Sequence, residues 1–266
     1  MLTQVHVPSS AAEAAGLLRD GGWLVGGGTV VMPKVNAGAV PVDSLVSLRR
    51  AGLAGITVAD GAAEIGAATT LTALGAHDVH DGLAFLRPVV RSIASPPVRN
   101  LATVGGNLFA AQPHGDLAVA LLALDARLDV VSADGARGVA VGEPVEPTEV
   151  VTAVHFALPA AGSWRYTKAM RRKHNSASIC TVAAVVTVAD GVVTAARIAL
   201  GGVAPRPVLA TAAAQALVGR PLDVAAATEA GEAARADAEP FDDAYASAWY
   251  RDRVLPVHVR RALAGE

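Results

Sequence analysis

The stretch Arg99-Asn100-Leu101-Ala102-Thr103-Val104-Gly105-Gly106-Asn107-Leu108 sets two adjacent glycines between polar residues. A second glycine loop, Val25-Gly26-Gly27-Gly28-Thr29, directly follows a short apolar stretch that is typical of a buried strand. Glycine lets the backbone adopt positive φ and lets a ligand approach the backbone N–H groups closely. Either loop alone could be a tight turn. Together they indicate a site for an anionic group such as a diphosphate.

Neither loop fits the common nucleotide motifs. Gly26-x-Gly28 continues to Val31, so the G-x-G-x-x-G pattern fails, and the chain contains no P-loop motif. A kinase or ATPase is therefore not supported. There is also no Gly-x-Ser-x-Gly motif, and Cys180 has no evident histidine partner. If the protein is an enzyme, we expect its chemistry to belong to a bound cofactor.

Composition excludes several further classes of protein. The 266 residues are 52% hydrophobic and 17% charged, which is typical of a globular chain. The formal charge of −2 argues against a nucleic-acid partner. The single cysteine cannot hold a zinc or iron–sulfur centre alone, and it favours a reducing, cytoplasmic compartment. We expect no signal peptide and no membrane span, because the apolar stretches are too short.

The order of sequence patterns predicts an α+β protein. The first fifty residues read as β-α-β-loop-α-β, and hairpins are indicated at Asp60-Gly61 and Asp134-Gly135. Leu83–Ser95 reads as a helix that ends at Pro96-Pro97. A domain boundary is predicted at residues 159–162, followed by helices that pack on a sheet of three antiparallel strands. Those strands are Trp164–Met170, Ser178–Ala189 and Val192–Leu200.

Three polar features have both an ordinary and a functional interpretation. Asp116 begins an apolar helix and could be its cap or a carboxylate that binds ligand hydroxyls. Lys168 opens a basic run through His174, which could be a solvated face, although Lys168 itself lies on an alternating strand. The segment His77-Asp78-Val79-His80-Asp81 has metal-ligand residue types, but it lies at a predicted helix end, so we predict no metal.

These motifs resemble the flavin-carrying medium subunit of the molybdenum hydroxylases, the xanthine dehydrogenase and aerobic carbon monoxide dehydrogenase family. Leu24–Val31 is similar to the first FAD loop of that family, and Arg99–Leu108 with Asp116 closely resembles the second. Tyr166-Thr167-Lys168, followed by two arginines, resembles the opening of the C-terminal domain. The resemblance runs along essentially the whole chain.

The resemblance implies a two-lobed, vanillyl-alcohol-oxidase-like (PCMH-type) FAD-binding domain over residues 1–161, with lobes of about 1–54 and 55–161. A carbon monoxide dehydrogenase flavoprotein-like C-terminal domain would occupy residues 162–266. FAD would be bound non-covalently. The implied cofactor-binding residues are Gly26, Gly27, Gly28, Thr29, Val30, Thr103, Gly105, Gly106, Asn107, Ala110, Asp116, Val151 and Lys168.

The resemblance also assigns roles and partners. The backbone from Gly26 to Val30 would hold the diphosphate, Asp116 would lie near the ribityl chain or flavin, Lys168 would reach the isoalloxazine, and the backbone around Val151 would touch the adenine side. Electrons would arrive from [2Fe–2S] clusters on a small subunit, supplied by a molybdenum–pterin cofactor on a large subunit. They would leave to NAD, a quinone or oxygen, within a heterohexamer.

Two alternatives stay open at the level of sequence. The first is a stand-alone reductase of the same fold, of the UDP-N-acetylenolpyruvoylglucosamine reductase type. That enzyme needs a proton donor and a sugar-nucleotide site in its last domain, and we find no convincing set of residues for either. The second is a non-catalytic assembly subunit whose FAD site has decayed. Only Val30 favours this interpretation, because a polar residue often stands there in the family.

Overall fold

The structure is a computed structural model that describes residues 2–77, 82–173 and 175–265. Asp78–Asp81, which hold most of the histidine–aspartate segment, and His174 of the basic run therefore lie outside the described residues. The strands are β1 Gln4–His6, β2 Trp23–Val25, β3 Ser44–Ser47, β4 Ile56–Ala59, β5 Ala62–Gly66, β6 Arg127–Ser132, β7 Gly135–Ala140, β8 Val150–Ala157, β9 Trp164–Met170, β10 Ser178–Ala189, β11 Val192–Gly201 and β12 Val208–Leu209. The α-helices are α1 Ala11–Arg19, α2 Val31–Asn36, α3 Leu71–Ala76, α4 Arg87–Ser92, α5 Pro96–Arg99, α6 Val104–Leu108, α7 Asp116–Ala123, α8 Thr211–Leu217, α9 Val224–Ala233 and α10 Ala248–Ala264.

The chain forms two compact units, and each is built from segments that are separated in the sequence. The first unit comprises Met1–Gly82, Ser95–Ala110 and Ala126–Ala157. The second comprises Leu83–Ala94, Ala111–Asp125 and Leu158–Glu266. Two segments that precede residue 158 therefore belong to the second unit.

A parallel three-stranded sheet in the order β1-β3-β2 opens the first unit and confirms the predicted β-α-β-loop-α-β order. Helix α1 begins where the Ser10 hydroxyl accepts a hydrogen bond from the Glu13 N–H at 3.2 Å. The Glu13 carboxylate accepts a bond from the N–H of Ser9, the residue before the N-cap, at 2.8 Å. Ala14, Ala15 and Leu18 then pack in one core with Val46 of β3.

The second sheet of this unit is antiparallel, with five strands in the order β4-β5-β8-β6-β7. Asp60 and Gly61 both have positive φ between β4 and β5, as a tight hairpin turn requires. The Asp134-Gly135 sequence likewise lies at the turn between β6 and β7, so both predicted hairpins are confirmed. Strand β7 is at one edge of the sheet, and the segment that follows β7 in the chain connects it to β8.

The second unit holds an antiparallel sheet in the order β12-β11-β10-β9. The three predicted strands are confirmed, but a fourth, β12, pairs with β11. Its two residues are too few to show an alternating pattern, which is why the sequence did not reveal it. All eight residues of α7 are buried, and Leu255 and Val259 of α10 join the same core as Val182 of β10. Among the described residues, no helix has both the length and the apolar character needed to cross a membrane.

The predicted helix over Leu83–Ser95 is wrong in detail. A 3₁₀ turn over Ala84–Leu86 precedes α4, which ends at Ser92 because Ile93 is extended, and Ala94 then has a positive φ of 48°. Pro96 and Pro97 begin α5 rather than only ending the preceding helix. Proline is tolerated in the first turn of a helix because the N–H it lacks has no partner there.

The contact between α9 and α10 depends on Gly231, and a pair of helical glycine substitutions tests it. A Cβ at residue 231 would lie 2.5 Å from the Pro256 carbonyl oxygen, whereas a Cβ at Gly16 in α1 would meet nothing within 4 Å. We expect Gly231→Ala to lower the free energy of unfolding by about 1–3 kcal/mol. Gly16→Ala should raise it by about 0.5–1 kcal/mol. Urea denaturation of both variants measures this, and equal effects would contradict the packing.

Candidate cofactor site

A cavity of about 420 Å³ lies within the first unit, at the carboxyl end of β2. Both glycine loops line it, together with Val151 of β8 and a segment around Glu146. Every cofactor-binding residue predicted in this unit is part of the lining. They are Gly26, Gly27, Gly28, Thr29, Val30, Thr103, Gly105, Gly106, Asn107, Ala110 and Val151.

The first loop lies directly against the chain that leads into the second loop. A Cβ on Gly27 would overlap the Leu101 carbonyl oxygen, and a Cβ on Gly26 would lie 2.7 Å from the Thr103 hydroxyl oxygen. Gly28 adopts a φ of 72°, a conformation that a side chain disfavours. The glycines are thus required both by this close approach and by the backbone conformation.

The first loop also presents backbone N–H groups that the protein does not use. Among the described backbone hydrogen bonds, none is donated by Gly27, Gly28, Thr29 or Val30. Unpaired N–H groups beside a cavity are suited to bind the oxygen atoms of an anion. This arrangement fits the predicted role of the loop toward a diphosphate.

The second loop differs, because its backbone N–H groups are not available to form such a cradle. Its N–H groups are already bonded inside the protein, at distances of 2.8 to 3.1 Å. The bonds run from Val104 to Thr69 O, from Gly105 to Ala67 O, from Gly106 to Thr103 Oγ1 and from Asn107 to Thr103 O. Its glycines instead allow close packing, since a Cβ on Gly105 would lie 3.0 Å from Ala67. The loop therefore contributes shape and side chains.

One wall of the cavity was not predicted from the sequence, and it is formed by Val145, Glu146, Pro147 and Glu149. The Glu149 carboxylate accepts two hydrogen bonds from Arg137, each of 2.7 Å. These bonds, with one from the Glu146 N–H, lower the pKa of Glu149 to about 2, so it is ionised at neutral pH. The Glu-x-x-Glu spacing was a weak signal, because nothing local indicates which arginine pairs with it.

The two remaining predicted residues, Asp116 and Lys168, lie in the second unit and pair with each other. Lys168 Nζ is 2.8 Å from Asp116 Oδ2, and both side chains are 3% exposed. Lys168 also donates to the Ser92 carbonyl oxygen at 2.9 Å. The other carboxylate oxygen of Asp116 accepts from the Thr181 hydroxyl at 2.6 Å. The structure thus joins two residues that were predicted separately.

This cluster changes the acidity of its members. Burial raises the pKa of the Asp116 carboxyl, and this effect outweighs the Lys168 ammonium and the hydrogen bonds that act to lower it. Burial also raises the pKa of the Tyr166 phenol, and the nearby Asp116 charge adds to that increase. The Tyr166 hydroxyl lies 2.8 Å from the Ser92 hydroxyl. The cluster is a set of mutually satisfied polar groups in a dry environment.

Comparison with known proteins decides the family. A family model described as the FAD binding domain in molybdopterin dehydrogenase matches residues 2–156, and one described as the CO dehydrogenase flavoprotein C-terminal domain matches residues 165–265. The chain belongs to the FAD-binding medium subunits of the molybdenum hydroxylases. The family resemblance inferred from the loops is thereby confirmed.

Individual relatives cover nearly the whole chain. The carbon monoxide dehydrogenase medium chain of Afipia carboxidovorans is 32% identical over 97% of this chain and 94% of its own length. A xanthine dehydrogenase FAD-binding subunit of Escherichia coli O157:H7 is 29% identical, with coverage of 97% and 94%. A solved carbon monoxide dehydrogenase structure from Hydrogenophaga pseudoflava, which lacks the Mo-pyranopterin moiety, has a TM-score of 0.93 and 29% identity, covering 99% of this chain and 96% of that chain.

A medium subunit of this family is part of an oxidoreductase, and its cofactor is FAD. The cavity fits that cofactor because its first loop combines unused N–H groups with glycines that bring the backbone to its edge. Within the described ranges, no group of three or more histidine, cysteine, aspartate or glutamate side chains is arranged to hold a metal ion.

The fit of the first loop can be tested at Gly27. We expect Gly27→Ala to weaken FAD binding by at least about tenfold, because the new methyl group displaces the loop from Leu101 and moves its N–H groups. Titration of the apoprotein with FAD, followed by flavin fluorescence, measures the Kd. Gly16→Ala is the control and should bind like the wild type. Unchanged affinity in Gly27→Ala would show that the loop does not hold the cofactor.

The buried pair in the second unit makes a separate prediction. Lys168→Met leaves the Asp116 carboxylate buried without its cation, so the free energy of unfolding should fall by about 3–5 kcal/mol. The loss should be smaller at about pH 5 than at about pH 8, because protonation removes the uncompensated charge of Asp116. A carboxyl whose pKa is raised in the folded state stabilises the fold at low pH, and this contribution is lost as the pH rises. Urea denaturation at both pH values measures this.

Two further variants serve as controls. Asp116→Asn in the Lys168→Met background should recover much of the stability, since no buried charge remains. Arg235→Met removes exposed ion pairs with Glu232 and Asp252 and should cost less than about 1 kcal/mol. An equal loss for Lys168→Met at both pH values, with no recovery in the double variant, would refute the interpretation.

Proposed function

We propose that the chain is the electron-transfer subunit of a molybdenum hydroxylase complex. It would accept electrons from [2Fe–2S] clusters of a partner subunit and pass them, through its FAD, to an external acceptor such as NAD, a quinone or oxygen. The observation that carries this proposal is the cavity of the first unit, which is lined by glycine-loop residues whose backbone N–H groups donate none of the described backbone hydrogen bonds. The family membership gives that cavity its cofactor.

The residues of this chain bind and orient the cofactor. The N–H groups of Gly26–Val30 would hold the diphosphate, with Thr103, Gly105, Gly106, Asn107 and Ala110 on the opposite side and the backbone at Val151 toward the adenine. FAD supplies one- and two-electron redox chemistry when bound. Binding would be non-covalent, since no histidine or cysteine is among the residues that line the cavity. Residues 1–161 would act as the two-lobed PCMH-type domain and 162–266 as the C-terminal domain.

Asp116 and Lys168 would act at the flavin end of the site, on the strength of the family resemblance. Their hydrogen bonds to Thr181 and Ser92 fix both side chains before any ligand arrives. A side chain that is already ordered loses little conformational entropy when a ligand binds. These two residues are therefore proposed to orient the flavin rather than to exchange protons with a substrate.

The partners would be a large molybdopterin-binding subunit and a small [2Fe–2S] subunit, as a cytoplasmic heterohexamer. The lone Cys180 supports the need for a separate iron–sulfur chain. Burial raises the pKa of its thiol to about 12, so it is not a thiolate available to a cluster. The molybdenum subunit would carry the substrate site, so the substrate of the complex lies outside this chain.

Neither alternative gains a specific supporting observation. A stand-alone reductase would need its own substrate site, whereas a protein named as the medium chain of carbon monoxide dehydrogenase matches 97% of this chain. A decayed FAD site was suggested by Val30 alone. Val30 lines the cavity, but the group that it would offer a diphosphate is its backbone N–H, which valine has just as a polar residue does. The electron-transfer function is therefore preferred.

The first experiment is an absorption spectrum of the purified protein before and after acid denaturation. Bands near about 370 and 450 nm that pass into the supernatant would establish a dissociable flavin. Co-purification from the native host, with iron and molybdenum measured in the same fraction, then tests the proposed partners. A colourless protein that takes up no added FAD would refute the FAD role, and a flavoprotein without iron or molybdenum would favour the stand-alone reductase.

A further inference from the structure

Arg137 donates three hydrogen bonds to the segment beside the cavity without lining the cavity itself. It lies on β7, the edge strand of the five-stranded sheet. Its Nε and one terminal nitrogen each donate to a different oxygen of Glu149, both at 2.7 Å. The same terminal nitrogen donates to the Pro144 carbonyl oxygen at 3.2 Å. This two-point geometry requires the planar guanidinium group.

The partner carboxylate fixes the segment in turn. Glu149 Oε2, which binds Arg137, also accepts a hydrogen bond from the Glu146 N–H at 2.8 Å. The Glu149 N–H donates to the Glu146 carbonyl oxygen at 2.9 Å, which closes the turn. One ion pair therefore fixes the backbone at residues 144, 146 and 149.

The segment fixed in this way is a wall of the cavity. Val145, Glu146, Pro147 and Glu149 all line it, whereas the segment from Gly142 to Glu149 contains no helix or strand. A wall without backbone ladder bonds depends on side-chain contacts for its position. The side chain of Glu149 is 9% exposed and that of Arg137 is 45% exposed, so the carboxylate is the inner partner.

We propose that Arg137 is a positioning residue for cofactor binding, which acts through Glu149 by holding the segment 144–149 as a wall of the FAD cavity. The inference rests on the proposed FAD function of that cavity. Arg137 is 45% exposed, so water can reach the pair, and solvent-accessible ion pairs add little to global stability. Its loss should therefore loosen the wall and weaken cofactor binding while leaving the fold in place.

The test compares FAD affinity with apoprotein stability in matched variants. Arg137→Met should raise the Kd for FAD by at least about tenfold, while the melting temperature of the apoprotein stays within about 3 °C of the wild type. Arg137→Lys should give an intermediate Kd, because an ammonium group cannot reproduce the two-point contact. Arg127→Met removes the same charge from the neighbouring strand β6 and should bind FAD like the wild type.

A double variant separates positioning from charge. Arg137 could also favour the anionic cofactor merely by offsetting the acidic residues Glu143, Glu146 and Glu149. If charge alone mattered, Glu149→Gln in the Arg137→Met background would restore the affinity. Positioning predicts that the double variant stays weak and that Glu149→Gln alone is weak as well.

The outcomes distinguish this inference from the proposed function. Wild-type affinity in Arg137→Met, or full recovery in the double variant, would overturn the positioning role while the wild type still binds FAD. A fall in the melting temperature of the apoprotein well beyond about 3 °C would also overturn it, because the residue would then support the fold in general. A wild-type protein that does not bind FAD would instead refute the proposed function.

Discussion

The absence of a side chain at residue 27 is the constraint on which the site depends. Because Gly27 has no Cβ, the first loop can lie on the Leu101 carbonyl oxygen, and Gly26 can lie against the Thr103 hydroxyl. The loop is thereby held between β2 and the segment before α6. This close packing restricts the loop to one backbone conformation, so its N–H groups cannot change direction freely. They are oriented before a ligand arrives, which lowers the entropy cost of binding one.

The two loops look alike in sequence but have different physical roles. The first keeps its N–H groups available, whereas the second uses them to join Thr69, Ala67 and Thr103 within the protein. The second loop is thus a rigid support for the first, and the Thr103 hydroxyl serves as both its cap and the surface that Gly26 touches. A pair of glycines in a sequence does not distinguish these roles, since both need a backbone without side chains.

Sequence reasoning succeeded where the determining interactions are local. Asp-Gly turns and alternating strands depend on residues close together in the sequence, and the structure has them where predicted. It failed where contacts are distant in the chain. The short strand β12 exists only because β11 is beside it, and the Arg137–Glu149 pair depends on how a hairpin returns to β8. The cavity residues were predictable through the family resemblance, but the wall at 144–149 was not.

The buried polar groups of the second unit show that identifying a site residue from the sequence does not reveal which group it pairs with. The sequence drew attention to Asp116 and Lys168 separately, to Asp116 at the start of a helix and to Lys168 in a basic run. Burial of both side chains makes the pair obligatory, because either charge alone would be costly in that environment. The ammonium and carboxylate then use Ser92 and Thr181 to satisfy their remaining capacity. A ligand that met this cluster would encounter fixed dipoles rather than mobile charges, and fixed dipoles need little reorganisation as charge moves nearby.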